Sequence, residues 1–475
     1  MQMKQKFNKL LLFLSLGSVV FTTELFAVDN SSTLQEKLDK KYTTNCSSKM
    51  LFSKPVSNLS DTEQDTFMLG KSFFRIPWVE APAATTARDG LGPLFNSNTC
   101  VHCHPYNGIA RMKNEKGDIA RGYVTRLSIP SNNSLEHKSL LKYGGFIPEP
   151  VYGAQISVNG SKDVPFEAKP IIKYINKYVT YPDGQTVVLS KPLHGVQNQL
   201  EQLQYNEIHK SVSITNRIGQ ALVGLGLLDA LTDEQILVNQ DINDSNNDGI
   251  SGKANIVYSP KHKDFRVGRF TWKASAPSVL HQSAAAASND MSLTSSLFPK
   301  ENCTKFQKEC LKAPRGDVNR QGGIEFDLTD QRLEAIAFYL TNLKIPKSKI
   351  TAKKGEKLFE QIGCAKCHIP SFTLENGYKI KPFTDMLLHD MGEDLSDGRV
   401  EFLASPREWR TAPLWSIGKY KIVLGQEVNL LHDGRAKTVE EAILWHGGES
   451  LFSQKQFMNL DKKQRDELIK YIQEL

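Results

Sequence analysis

The sequence predicts a mainly α fold of two like units, the first enlarged by β-containing insertions. Three observations predict it. The pentapeptide C-x-x-C-H occurs twice, as Cys100-Val-His-Cys103-His104 and Cys364-Ala-Lys-Cys367-His368. Helical patterns fall around both copies, at residues 61–75, 328–344, from Lys353 onward and 461–474. Short β-like runs (Val151 to Val158, Ile171 to Tyr181, Thr186 to Leu189), broken by Gly, Pro and Asn, occupy residues 110–200.

In C-x-x-C-H the two thiols form thioethers with porphyrin vinyl groups, and the adjacent histidine reaches the iron. Two copies therefore predict two covalently bound c-type haems and two cytochrome-c-like haem domains, with His104 and His368 as proximal ligands. Leu94-Phe95 precedes Cys100 by the same interval that Leu358-Phe359 precedes Cys364, and Gly92 and Gly355 lie just upstream. That spacing predicts one helix-then-haem arrangement used twice.

The elements follow in order. Lys4, Lys6 and Lys9 precede an apolar run from Leu10 to Phe21, and Leu25-Phe26-Ala27 offers a cleavage site, so residues 1–27 read as a signal peptide. The alternative is an uncleaved anchor, for which the run is short. Residues 28–345 are expected to form the N-terminal haem domain with its insertion, including an apolar helix from Arg217 to Ala230. The helix at 328–344 stops at Pro346, and Ile345-Pro-Lys-Ser-Lys reads as a linker into a C-terminal cytochrome c domain at 346–475.

Loss of the leader lowers the formal charge from +7 to about +5. That mild balance, without a long basic run, excludes nucleic acid as a partner. No other stretch is apolar enough to span a bilayer, so an exported, soluble, periplasmic protein is expected. Of seven cysteines, four belong to the pentapeptides. Cys303 and Cys310 read as a disulfide. Cys46 is left over, either free or competing for one of that pair.

Further motifs carry a family resemblance. They are Asp248-Gly-Ile-Ser-Gly-Lys-Ala-Asn255, Gly268-Arg-Phe-Thr-Trp272-Lys-Ala, Phe383-Thr-Asp-Met-Leu-Leu-His389-Asp-Met-Gly392, Trp409-Arg410-Thr-Ala-Pro413-Leu-Trp415, and Leu431-His432-Asp-Gly-Arg435 followed by Glu440-Glu-Ala-Ile-Leu-Trp-His446-Gly-Gly. With them the chain resembles the bacterial di-haem cytochrome c peroxidase superfamily, and within it the di-haem thiol oxidoreductase-like branch. The resemblance implies that the N-terminal haem meets peroxide and the C-terminal haem relays electrons. It implies Trp272 as the aromatic between them, against the alternative of a buried core tryptophan, and Gln282 as the glutamine ten residues further on.

Asp290, before Met291, stands near the place where the superfamily carries an acid beside the peroxide-binding iron. Such a carboxyl can pass a proton between the peroxide oxygens. The superfamily usually has Glu there, and the local spacing differs by about two residues; a helix cap is the alternative. The sixth ligand of the relay haem falls on His446, with Met391, His389, His432 and water as competitors. Arg410 and Arg435 are candidates for haem propionates, or for structural ion pairs. Asp244, Asn246 and Asp248 match the start of a calcium loop, but Asn255 stands where a full EF-hand has Glu, and an Asx-rich turn is the alternative.

The expected function is a periplasmic di-haem oxidoreductase of peroxidase type. It would act on peroxide or a thiol and exchange electrons with a redox protein such as a small cytochrome. A non-catalytic di-haem carrier serving an exported redox or metal-handling pathway is the alternative, and oxidation of substrate sulfur is a third. The absence of a sixth-ligand candidate for the first haem favours the enzyme.

Overall fold

The structure, a computed structural model, describes residues 23–85, 87–316 and 326–475. Residues 1–22 of the expected signal peptide, 1–27, lie outside the described residues, and the expected cut after Ala27 falls within the helix Thr23–Tyr42. No helix among the described residues is long and apolar enough to cross a membrane.

The expected mainly α fold of two cytochrome-c-like domains is corrected: the chain is 33% helix and 17% strand, with many small sheets. Every sheet among the described residues has two strands. The reason lies in the long middle of the chain, where backbone groups are satisfied by local ribbons rather than helical turns.

The helix Asp61–Arg75 begins with a capping box, in which Ser60 N donates to Glu63 Oε2 at 2.8 Å and Glu63 N returns to Ser60 Oγ. It buries Phe67, Phe73 and Phe74 against the helix Asp330–Thr341. A Cβ on Gly70 would sit 1.8 Å from Ala335 O, so the two helices touch backbone to backbone there. Tyr339 of the second helix shares a hydrogen bond with Asn107, just after the first pentapeptide, at 2.8 Å. The same helix packs on Val279–Met291, which Ser278 caps by accepting from His281 N.

The expected helix from Arg217 to Ala230 is corrected. Ser213–Ile218 is a strand, paired antiparallel with Tyr123–Ser128, and only Leu225–Asp229 is helical. Ile214, Thr215 and Ile218 are β-branched and favour the strand. Gly219 ends it where a Cβ would lie 3.0 Å from His104 Cε1. The repeated approach to the two pentapeptides also differs in structure. Leu94–Phe95 is a strand paired with Asn159–Gly160, whereas Leu358-Phe359 lies in the helix Lys353–Gln361. Val151 to Val158 forms isolated bridges (Glu149 with Gly153, Arg126 with Gln155) rather than the expected strand.

The other two β-like runs form one hairpin, Tyr174–Thr180 with Thr186–Pro192. It reaches across the C-terminal half: Tyr181 donates to Glu440 at 2.8 Å, Arg465 pairs with Asp183 at 2.8 Å, and Lys177 and Lys191 both pair with Asp394. Ile345–Pro346, read as linker, pairs in parallel with Thr43–Thr44. Beyond it, Lys353–Gln361 packs on Lys462–Glu474, closest at Gly355. The expected disulfide is present, with Cα atoms of Cys303 and Cys310 5.6 Å apart; Cys46 is a free thiol.

Candidate functional site

Each pentapeptide opens onto a largely apolar cavity. The first, of about 200 Å³, is lined by Cys100, Cys103 and His104 together with Trp272, Gln282 and Asp290. The cysteines lie on one helical turn, Cys100–Cys103, and the next residue leaves it. His104 Nδ1 lies 2.8 Å from Gln220 O. A carbonyl only accepts, so Nδ1 is the donor and Nε2 keeps its lone pair. Burial lowers the His104 imidazole to about 4, so it is neutral.

The second cavity, of about 260 Å³, is lined by Cys364, Cys367, His368, Arg410 and His446. The same device recurs twice: His368 Nδ1 meets Phe383 O at 2.9 Å, and His446 Nδ1 meets Ala442 O at 2.7 Å. His446 follows the helix Val439–Leu444, whose last turn supplies that carbonyl. Each of the three histidines thus offers a neutral Nε2. A metal-ligating imidazole needs this arrangement, with the other nitrogen donating to a carbonyl. Paired thiols, lone-pair imidazoles and apolar walls fit a haem in each cavity.

His389 is differently placed. Nε2 lies 2.7 Å from Asp385 Oδ2 and Nδ1 2.7 Å from Glu449 Oε2, so both nitrogens are occupied. Burial works against its charge, but bonds to Asp385, Cys367 and Glu449 outweigh that and raise its pKa well above the ordinary value. Met391 lines the same cavity, and its thioether accepts from Ser450 Oγ at 3.8 Å. His432 stacks on Trp409 with ring centroids 3.8 Å apart. Arg410 Nε donates to Thr271 O at 3.0 Å, whereas Arg435 is held by Asp433 at 2.8 Å.

Trp272 lines both cavities, as does Phe270. Its indole Nε1 is fixed by Ile218 O at 2.9 Å, and its carbonyl accepts from Arg410 N at 2.9 Å. It therefore stands at the wall between the two sites. Gln282 and Asp290 lie on the helix Val279–Met291 and face the first cavity only. Asp290 is the penultimate residue of that helix and Ser278 its N-cap, so Asp290 does not cap it. Burial raises the Asp290 carboxyl, opposed by a hydrogen bond from Gln155 and by the Arg126 charge.

Sequence reasoning missed several residues. Gln155, Arg126, Arg217 and Met291 belong to the first site, and Glu449 to the second. Arg217 would have emerged had the alternation over Ser213–Ile218 been read with period two. At the expected calcium loop, Asp244 Oδ1 accepts from Asp248 N at 2.9 Å and Asn246 Oδ1 from the same amide at 2.9 Å. Asp248 also pairs with Lys366 at 3.1 Å. These are the bonds of an Asx-rich turn.

A family model described as "Di-haem oxidoreductase, putative peroxidase" matches residues 39–475. A search of curated proteins finds no match. One solved structure, Kuenenia stuttgartiensis hydrazine synthase pressurized with xenon, is similar over 36% of this chain and 63% of its own, at 19% identity and a TM-score of 0.23. The chain thus spans less than two thirds of that structure's length. With the family match covering nearly all of its length and two cavities built alike around a cysteine pair and a histidine, the chain belongs to the di-haem oxidoreductase family.

Proposed function

We propose that the protein is an exported di-haem c-type oxidoreductase of peroxidase type. The first site would be catalytic and the second an electron relay. Cys100, Cys103 and His104 would hold one haem, and Cys364, Cys367, His368 and His446 the other. Each haem, when bound, supplies an iron that exchanges single electrons and, at an open face, takes an exogenous ligand such as peroxide.

One asymmetry carries the reading. The second cavity has two lone-pair imidazoles, His368 and His446; the first has His104 and, in place of a second imidazole, a buried carboxyl. Asp290 Oδ1 accepts from Gln155 Nε2 at 2.7 Å, so a proton on the neutral acid sits at Oδ2. That proton can be delivered to a departing oxygen and recovered later. Gln282 lines the same cavity and can orient a bound substrate by hydrogen bonding. Trp272, fixed between the sites, is the route for electrons.

Export is supported by the N-terminal sequence and by the Cys303–Cys310 disulfide, which suits an oxidising compartment. The electron partner would be a small redox protein such as a cytochrome, and the substrate peroxide or a thiol. A second reading, a non-catalytic carrier, is favoured by Met291, which also lines the first cavity and carries a thioether that could serve as a ligand.

Paramagnetic resonance of the ferric holoprotein distinguishes them. The enzyme gives one high-spin and one low-spin haem, and the high-spin signal changes rapidly with peroxide. Two low-spin haems indifferent to peroxide, with one opened by M291A, would establish the carrier instead.

A further inference from the structure

The ribbon of Tyr123–Ser128 and Ser213–Ile218 brings charge to the first cavity. Arg126 lies opposite Thr215, and Val124 opposite Arg217. Opposed residues and their diagonal neighbours share a face, so Val124, Arg126, Thr215 and Arg217 point the same way. Three of them (Val124, Arg126 and Arg217) line the cavity that also holds Cys100, Cys103 and His104.

Behind them is a buried charge cluster whose signs do not balance. Arg217 pairs with Asp397 and with Glu401, each at 2.8 Å. Lys273 lies 3.3 Å from Asp397, and Arg399 2.9 Å from Glu401. Arg126 also acts on Glu401 electrostatically, yet its guanidinium makes no hydrogen bond or ion pair among the described residues. Four cations (Arg126, Arg217, Lys273 and Arg399) therefore face two carboxylates, Asp397 and Glu401. Asp290 forms no ion pair with Arg126 and accepts instead from Gln155 Nε2 at 2.7 Å. Arg217 Nε is a further buried donor without a partner.

Arg126 is half-buried at the cavity wall, and a guanidinium left unmatched there is costly once a bound group excludes water. An arginine fork answers best to a carboxylate. A haem brings two carboxylates, the same number as the excess of cations. We propose that Arg126, with the free Nε of Arg217, binds the propionates of the haem held at Cys100, Cys103 and His104. This rests on the reading that the first cavity takes a haem. The ribbon then fixes the haem's polar edge, while the pentapeptide fixes its vinyl edge.

The test is redox titration of the holoprotein carrying R126Q or R126K. The haem concerned is the one whose signal H446A leaves untouched. Loss of the cation stabilises the ferric state, so R126Q lowers the potential of that haem alone, and R126K restores most of it. An unchanged potential, or a shift confined to the other haem, overturns the assignment. So does slower peroxide reaction at unchanged potential, which would put Arg126 on the substrate side. Where R126Q fails to fold, resonance Raman of R126K decides: a displaced propionate-bending band upholds the contact and an undisplaced one refutes it. A wild-type protein lacking haem at Cys100 and Cys103 would instead overturn the underlying reading.

Discussion

Gln155 Nε2 donates to Asp290 Oδ1 at 2.7 Å, joining a loop to the helix that carries the buried acid. The bond favours the carboxylate, while burial favours the neutral acid. D290N keeps the shape and removes the proton. Peroxide turnover should fall about 10²–10⁴-fold, with haem content unchanged. The acid form is the working one and its pKa is raised, so activity is present at low pH and lost as pH rises through that pKa. Q155L removes a bond that lowers the pKa, so the descending limb should move to higher pH. A pH–rate profile reads both effects, and a limb that stays fixed in Q155L would dissociate it from Asp290.

H446A should abolish the low-spin signal of the second haem, and added imidazole should restore it. His389 cannot substitute, because Asp385 and Glu449 occupy both its nitrogens. H389A should instead destabilise the fold, by about 3–5 kcal/mol, since two buried carboxylates lose their cation. Optical spectra and denaturant melts separate the two variants.

W272F should slow electron transfer between the haems while leaving each haem's own spectrum in place. Flash-induced reduction of one site and re-oxidation by the other measures this directly. An unaltered rate would assign conduction to Phe270, which lines both cavities as well.

Glu167 is raised from 4.5 to about 8, chiefly by burial, against the bonds from Ser157 N and Gln307 Nε2. A group with a raised pKa stabilises the fold fully below its unfolded value and loses that contribution as pH rises through its folded value. Stability should therefore decline by up to about 1.4 kcal/mol per pH unit between those limits. E167Q should flatten that decline in urea melts taken across the same window.

Much of the site could be read from sequence, and the reasons are chemical. Cysteine pairs with an adjacent histidine carry their own chemistry, and a helix register kept Gln282 and Asp290 on one element. The fold class could not be read so well. Apolar residues from Ile218 to Leu228 satisfy a helical period as readily as a strand followed by a turn, and pairing with Tyr123–Ser128 decided it. That misreading hid Arg217, and Arg126 was hidden because its neighbours across the ribbon are 87 to 91 positions away along the chain. Gln155 is still more remote from Asp290 in sequence, at 135 positions. Local pattern carries no trace of such partners.

The hairpin Tyr174–Pro192 takes its anchors from Asp394, Glu440 and Arg465, near the end of the chain. Synthesis runs from the N-terminus, so the ribbon emerges long before any of those three. It waits as an orphan, with Tyr181, which the finished fold buries against Phe457, still uncovered, until the last segment arrives to clasp it. A stop codon in place of Lys463 would strip Arg465 from the clasp and reach back to a ribbon made 280 residues before, so that a late truncation loosens an early-made hairpin.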